Sequence, residues 1–297
     1  MNRLSIKSMC APLLLTLVLI LAGCGRTEEP AADLPPLTDA VQVMDRVRET
    51  VAAVSSMEYG MELDMDLTML GQPLPMVADL SGKCLVSPMT MTSEMHMDMG
   101  EMGTLDASLF LLPEGDGCAL YAGMDAAGTG ALTWTKKTIH DAQALEQYNV
   151  QANMELYLTH AESFSYAGTE ELDGITAARY DGVISRDALS EVLSSAGVTA
   201  LAGKLGMENS SALLEGIDSL SISMWIDAGT FLPVRYEMDL TALAQRMLSG
   251  LLSAPPLAGD GAGDLTAEQV RITVSVSGYD TVDGIQLPLE ALTATEL

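Results

Sequence analysis

Residues 95–99 read MHMDM, a run of thioether side chains around one imidazole, and soft ligands of this kind bind Cu(I) or Ag(I). On an extended strand, successive side chains point to opposite faces, so His96 would point away from its two methionine neighbours. The other two histidines of the chain stand in no HExxH-type cluster. The sequence therefore predicts neither a metal site nor a cofactor.

Carboxylates are abundant, but their spacing is not that of a catalytic pair. Glu58, Glu62, Asp64 and Asp66 alternate with apolar residues, which is typical of the solvated face of a strand rather than of a calcium site or a glycosidase pair. No GxSxG motif and no complete phosphate-binding loop occur in the chain. We therefore predict that the protein is not an enzyme.

Cys24 ends the segment LAGC at 21–24, directly after an apolar run over 9–21 that follows Arg3 and Lys7. The run is too short for an ordinary spanning helix and has the proportions of a signal peptide. LAGC resembles the lipobox of bacterial lipoproteins, in which the cysteine is lipidated and the residues before it are removed. The acyl chains would then anchor the protein to a membrane surface. We predict a signal peptide over 1–23, lipidation of Cys24 and a Pro-rich tether over 24–38.

The overall composition restricts the partners of the remaining chain. The formal net charge is −27, so a nucleic-acid partner is excluded, and anionic headgroups would repel the domain. We expect a monomer that touches the membrane through its N-terminal lipid. Cys84 and Cys118 either form a disulfide, as an even pair in an exported protein can, or remain as two buried thiols.

Two hydrophobic periods follow each other along residues 39–297, which we predict to be a single domain. Three- and four-residue spacing predicts helices at 39–55, 139–159, 187–203, 210–216 and 241–251. Alternation and turn signals predict strands at 57–69, 75–85, 89–99, 107–112, 118–124, 131–137, 164–172, 175–184, 219–227 and 231–240, and a last hairpin of 268–279 with 286–291. An antiparallel sheet with one wet face must cover its other face. The predicted fold class is therefore α+β, a strongly curved antiparallel sheet (an open half-barrel) with helices packed on its concave face.

Methionine is unusually frequent, with 20 residues in the chain against three phenylalanines and two tryptophans. Its flexible, polarisable side chain suits a deformable cavity for apolar ligands, although methionine in place of leucine also builds an ordinary core. If a cavity lies between sheet and helices, its candidate lining residues are Met57, Met61, Met65, Met89, Met91, Met95, Met97, Trp134 and Trp225.

Several motifs follow one another in a recognisable order: Tyr121 before Trp134-Thr135-Lys136, GITAARYDGVI at 174–184, WIDAGTFLPV at 225–234 and DGIQLP at 283–288. In this order and spacing the chain resembles the LolA-like superfamily, including LppX/LprG-type lipoproteins and Gram-positive relatives. The resemblance implies the half-barrel fold and, because characterised members hold acyl chains or lipidated cargo, a lipid or other hydrophobic ligand.

The prediction from this resemblance is an extracytoplasmic lipoprotein on the outer face of the cell membrane, with a Gram-positive cell favoured. It would bind an acyl-chain ligand between sheet and helices. The alternative is a non-enzymatic envelope interaction or structural module whose core is filled.

Overall fold

The computed structural model describes residues 35–100, 103–125, 128–141, 145, 150–160, 164–195, 214–253 and 265–297. The predicted signal peptide, Cys24 and the tether up to residue 34 lie outside the described residues. So do residues 196–213, which hold the end of the helix predicted at 187–203 and the start of the one at 210–216. We describe below the compact unit Pro36–Leu297.

Twelve strands form one open sheet in the order β12-β6-β5-β4-β3-β2-β1-β11-β10-β9-β8-β7. Their bounds are β1 Ser56–Met69, β2 Gln72–Leu85, β3 Thr90–Asp98, β4 Thr104–Glu114, β5 Gly117–Asp125, β6 Thr133–Ile139, β7 Ser165–Leu172, β8 Ile175–Ser185, β9 Ser219–Asp227, β10 Pro233–Asp239, β11 Leu265–Ser277 and β12 Thr295–Glu296. Neighbours are antiparallel except for the short pairing of β12 with β6. The predicted α+β class with an open antiparallel sheet is confirmed.

The helices of the described chain are α1 Ala40–Ala52, α2 Val150–His160, α3 Arg186–Ser195 and α4 Thr241–Ser253, with a 3₁₀ turn at Leu289–Thr293. In α1, the side chain of Asp39 accepts the backbone N–H of Gln42 at 3.2 Å and so caps the first turn. Val43, Val47 and Val51 form its fully buried stripe. Ile139 ends β6 and does not begin a helix as predicted. Residues 142–144 and 146–149 of that predicted helix lie outside the described residues.

The alternation in β1 divides the sheet into an apolar face and a polar face. Met57 and Tyr59 are buried in the main core together with Val47 of α1 and Tyr180 of β8, so the helices pack on this apolar face. Glu62 points to the other face and is exposed. The predicted faces of β1 are confirmed, because alternation fixes orientation wherever a strand is regular.

The predicted last hairpin is wrong. β11 pairs on one side with β1 and on the other with β10, so neither of its edges is free for 286–291. Residues 282–294, which we call the C-terminal strap, cross the polar face instead, and β12 then pairs parallel with β6 at Thr135 and Lys136. Ala291 of the strap is fully buried in a small cluster with Phe110 and Trp134.

The two cysteines of the sheet are buried, unbonded thiols. Cys84 lies on β2 and Cys118 on β5, three strand intervals apart. At about 4.8 Å per interval this separation is about 14 Å, whereas a disulfide needs Cα atoms within roughly 7 Å. The structure therefore supports buried thiols and not the disulfide that the sequence left open.

Candidate functional site

The apolar face is closed at the end of the sheet where β1 begins. Met57 and Leu111 are fully buried, and Met91 is 5% exposed. They belong to one cluster with the valines of α1 and with Met154 and other side chains of α2. This half of the face is a filled core, and methionine serves there as an ordinary core residue.

Towards the other end of β1, the same face becomes half-buried. We define the methionine face as Met61, Leu63, Met65, Met76, Leu80, Met95 and Met97 of β1, β2 and β3. All seven side chains are intermediate in exposure. Met61 pairs with Leu80, and Leu80 pairs with Met95, so the residues form contiguous cross-strand rows with side chains about 5 Å apart.

Helix α4 flanks the methionine face along the neighbouring strand β11. Thr241 Oγ1 accepts the backbone N–H of Val270 at 2.9 Å, and Gln245 Nε2 donates to the carbonyl of Ala267 at 2.8 Å. In register, Val270 lies opposite Met65. These side-chain bonds fix the helix beside the half-buried methionines. The arrangement offers a broad apolar surface with one helical wall, which suits a chain-like hydrophobic ligand.

The structure distributes the predicted lining residues over three places. Met57 and Met91 lie in the filled core. Met89 packs half-buried against that core from the β2–β3 turn, and Met61 does so from the edge of the methionine face. The methionine face contains Met61, Met65, Met95 and Met97. Trp134 and Trp225 lie on the polar face, in the same register row as Gly60, so their side chains point away from the side chains of the methionine face.

Each tryptophan has a packing role on the polar face. The guanidinium groups of Arg179 and Arg235 lie 5.1 and 5.3 Å from the ring of Trp225, and its indole N–H donates to Glu170. Such cation–π contacts are favourable even at partly exposed sites. Trp134 packs on Phe110, with ring centroids 6.1 Å apart, beneath the C-terminal strap.

A groove of about 1410 Å³ lies on this polar face, away from the helices. The strap forms part of its wall through Gln286, Pro288 and Glu290, and acidic side chains of the sheet form much of the rest, among them Glu62, Asp79, Glu94 and Asp106. The groove was not predicted from the sequence. Its only local signal was the proline-containing segment DGIQLP, which was interpreted as a strand.

His96 lies in the groove, and its Nδ1–H donates to the carboxylate of Asp106, with Nδ1 and Oδ1 2.6 Å apart. This hydrogen bond raises the pKa of His96 above its ordinary value of 6.5, and the surrounding carboxylates add to the effect. As predicted, His96 and Met95 point to opposite faces, since they are consecutive in a regular strand. Within the described ranges, no cluster of three or more His, Cys, Asp or Glu side chains has the arrangement of a metal site.

In the part of the chain that the structure describes, helices of sufficient length and apolarity to cross a bilayer are not found. A search of the curated proteins finds no match to the sequence.

Solved structures that the chain is similar to include lipoprotein LppX of Mycobacterium tuberculosis, at 12% identity and a TM-score of 0.43, covering 84% of this chain and 100% of that one. LprF of Mycobacterium bovis is similar at 10% identity and a TM-score of 0.46, covering 84% and 96%. A putative outer membrane lipoprotein-sorting protein domain of Vibrio parahaemolyticus is similar at 10% identity and a TM-score of 0.26, covering 82% and 93%. One of these structures is LppX, the lipoprotein type that the sequence resemblance also names.

A family model matches residues 39–296. This range contains every strand and helix described above, including both faces of the sheet and the strap. The chain therefore belongs to that family, which is described as a family of unknown function (DUF6612).

Proposed function

We propose that the protein is a non-enzymatic, extracytoplasmic lipoprotein that binds an apolar ligand, such as an acyl chain, on its methionine face. The observation that carries the proposal is the change along one face of the sheet. Methionines are fully buried at one end, as Met57 is, and half-buried in contiguous rows at the other. A ligand covering these rows would complete the burial that the folded chain leaves unfinished.

The hydrophobic effect supplies enough driving force for such a ligand. Each buried methylene contributes about 0.8 kcal/mol, so eight methylenes contribute about 6 kcal/mol before the loss of ligand freedom is subtracted. The thioether side chains can change rotamer to fit different chains, so we expect broad selectivity for chain type. The groove on the polar face is less suitable, because an acyl chain there would desolvate carboxylates such as Glu94 and Asp106 without pairing them.

The anchor is the second part of the proposal. Cleavage before Cys24 and lipidation of its thiol would hold the domain at the outer face of the cell membrane, and we favour a Gram-positive cell and a monomer. Labelling of growing cells with radioactive palmitate should mark the wild-type chain and leave C24A unlabelled. Equal labelling of both chains would refute the anchor.

The binding site is tested by a matched pair of variants at adjacent positions of β3. The side chain of Met95 points to the methionine face and that of Glu94 to the polar face, because consecutive residues of a regular strand point to opposite sides. We expect M95Q to weaken binding of a fluorescent fatty acid by about tenfold, roughly the effect of removing one good apolar contact, while E94Q binds as the wild type does. Thermal unfolding of both variants serves as the control for folding.

The outcomes separate the hypotheses. A loss confined to E94Q would move the site to the polar groove and refute the methionine face. If the wild type binds no fatty acid and lipid extraction of protein purified from its host yields none, the alternative of a filled interaction module is favoured. In that case the half-buried rows would be a contact surface for another protein.

A further inference from the structure

The turn between β1 and β2 exposes two apolar side chains at the end of the sheet. β1 ends at Met69, which pairs with Gln72 across the two-residue turn of Leu70 and Gly71. Met69 is 43% exposed and Leu70 is 61% exposed. Turns at hairpin ends are normally polar, so large apolar residues at this position require an explanation.

The backbone of the turn makes leucine an unfavourable choice. Leu70 has φ of +52° and Gly71 has φ of +75°, the conformation in which Asn-Gly is preferred. A leucine in the left-handed region is disfavoured by contact of its Cβ with the following carbonyl. Asparagine would therefore suit the fold better, and the gain from leucine must come from outside the folded chain.

The three strand rows nearest this turn carry no charged side chain, and the first charges, Asp66 and Glu268, follow directly after them. We define the hairpin tip as 67–74 together with 265–267 of β11, the three outermost rows of β1, β2 and β11. No Asp, Glu, Lys or Arg lies among these residues, although the chain holds 41 acidic and 14 basic residues. Three rows span about 10 Å along the strands, similar to the depth at which interfacial segments enter a bilayer.

The tip is also continuous with the methionine face. Met65 pairs with Met76, and two rows further along the strands Leu67 pairs with Leu74 in the first row of the tip. All four side chains point to the apolar face, since the two on each strand lie two residues apart. An acyl chain that leaves the bilayer at the tip would therefore contact apolar side chains all the way to the methionine face.

The predicted tether is long enough to allow the contact. The carbonyl of Leu37 accepts the Tyr180 hydroxyl at 2.7 Å, and Tyr180 is in register with Met61 through β9, β10 and β11. Leu70 lies about nine residues, or about 30 Å, further along the strand direction, and β1 lies four strand intervals, or about 19 Å, to the side of β8, so the separation is about 36 Å. The roughly 13 residues from Cys24 to Leu37 can span about 45 Å when extended.

We propose that the hairpin tip inserts into the surface of the bilayer to which Cys24 is anchored and passes an acyl ligand between that bilayer and the methionine face. This inference rests on the proposed function. The uncharged and mainly apolar residues of the tip fit the interfacial region of a bilayer. The acidic remainder of the domain is repelled by anionic headgroups and stays in water.

The test uses the full lipidated chain in phosphatidylcholine vesicles, with an environment-sensitive dye on M69C. Cys84 and Cys118 are buried and so protected from the dye. L292C is the matched control, because Leu292 is 66% exposed but lies on the C-terminal strap. We expect vesicles to shift the M69C emission to the blue, and brominated lipids to quench it at least about twofold more than L292C, as insertion by 5–10 Å requires.

L70N is the second variant, because it suits the turn while removing the apolar side chain. We expect it to keep or raise Tm and to reduce the vesicle-induced change at M69C about fivefold. If the protein floats with vesicles while the dye on M69C keeps the emission of an aqueous environment, insertion of the hairpin tip is refuted. Failure to float refutes the anchor instead. An apolar signal without vesicles, together with a dimer in gel filtration, assigns the tip to a second copy and overturns the proposal.

Discussion

Gly82 lies where the ring of Tyr59 packs against β2, and replacing this glycine should be costly. A Cβ built at Gly82 would lie closer than 3.0 Å to the Tyr59 ring and to the carbonyl oxygen of Thr92. The ring cannot move freely, because Tyr59 is 9% exposed and its hydroxyl bonds to Ser93. Burial also raises the pKa of Tyr59 to about 12, as expected of a phenol held away from water.

The magnitude of the G82A effect follows from three contributions. Overpacking costs about 1–3 kcal/mol, and the loss of one hydrogen bond costs about 1 kcal/mol. The reduced freedom of the unfolded chain offsets about 0.4–1 kcal/mol. We therefore expect a net loss of about 2 kcal/mol, seen as a urea midpoint lowered by about 1 M at an ordinary m-value.

The control is G284A, because a Cβ at Gly284 meets no atom within 4 Å and should change the free energy of unfolding by less than about 0.5 kcal/mol. A second check is the double variant with Y59L, which should show a coupling of at least about 0.5 kcal/mol, since the two positions are in contact. If G82A unfolds at the same urea concentration as G284A, the packing of Tyr59 over Gly82 is refuted.

Three further predictions concern titratable groups. Burial raises the pKa of the Cys84 thiol to about 11, so a thiol reagent at pH 8 should modify it only at the rate of unfolding, and rapid modification of the native chain would contradict the burial. The pKa of His96 is raised mainly by Asp106, so the His96–Asp106 pair stabilises the fold fully below pH 6.5 and loses this effect as the pH rises through the raised pKa. NMR titration should show a lower pKa of His96 in D106N, and an unchanged pKa would exclude the pairing. Asp280 accepts hydrogen bonds from the backbone N–H and the hydroxyl of Ser55, which lowers the pKa of its carboxyl. The stability that these bonds contribute is complete above the ordinary pKa of 3.8 and disappears as the pH falls through the lowered pKa. D280N should therefore flatten the acid limb of the plot of unfolding free energy against pH, and an identical acid limb would contradict the bonding of Asp280 to Ser55.

The sequence by itself determined the elements whose signal is local. Alternation over 57–69 predicted the two faces of β1, because a strand turns its side chains to opposite sides whatever it pairs with. The spacing of Val43, Val47 and Val51 predicted α1 for the same kind of reason. Four methionines of the methionine face were found in this way, since Met61, Met65, Met95 and Met97 lie at alternating positions of two regular strands. Met76 of β2 was not among the predicted lining residues, because its place beside Met65 depends on strand pairing.

Only the tertiary structure decided which face each remaining strand presents and what covers it. Trp134 reaches the polar face because of its register with β1 through four intervening strands, and Trp225 because of its register through two. A shift of one residue in either register would turn the side chain to the other face. The separation of Cys84 from Cys118 follows in the same way from strand order.

The C-terminal strap, and with it the groove on the polar face, depends on the whole assembly. Residues 286–291 have the composition of a strand, but β1 and β10 already occupy both edges of β11. The segment therefore packs across the polar face and buries Ala291 against Trp134. Local patterns fix how a segment orients its side chains, whereas competition among all strands for a limited number of edges fixes where the segment lies.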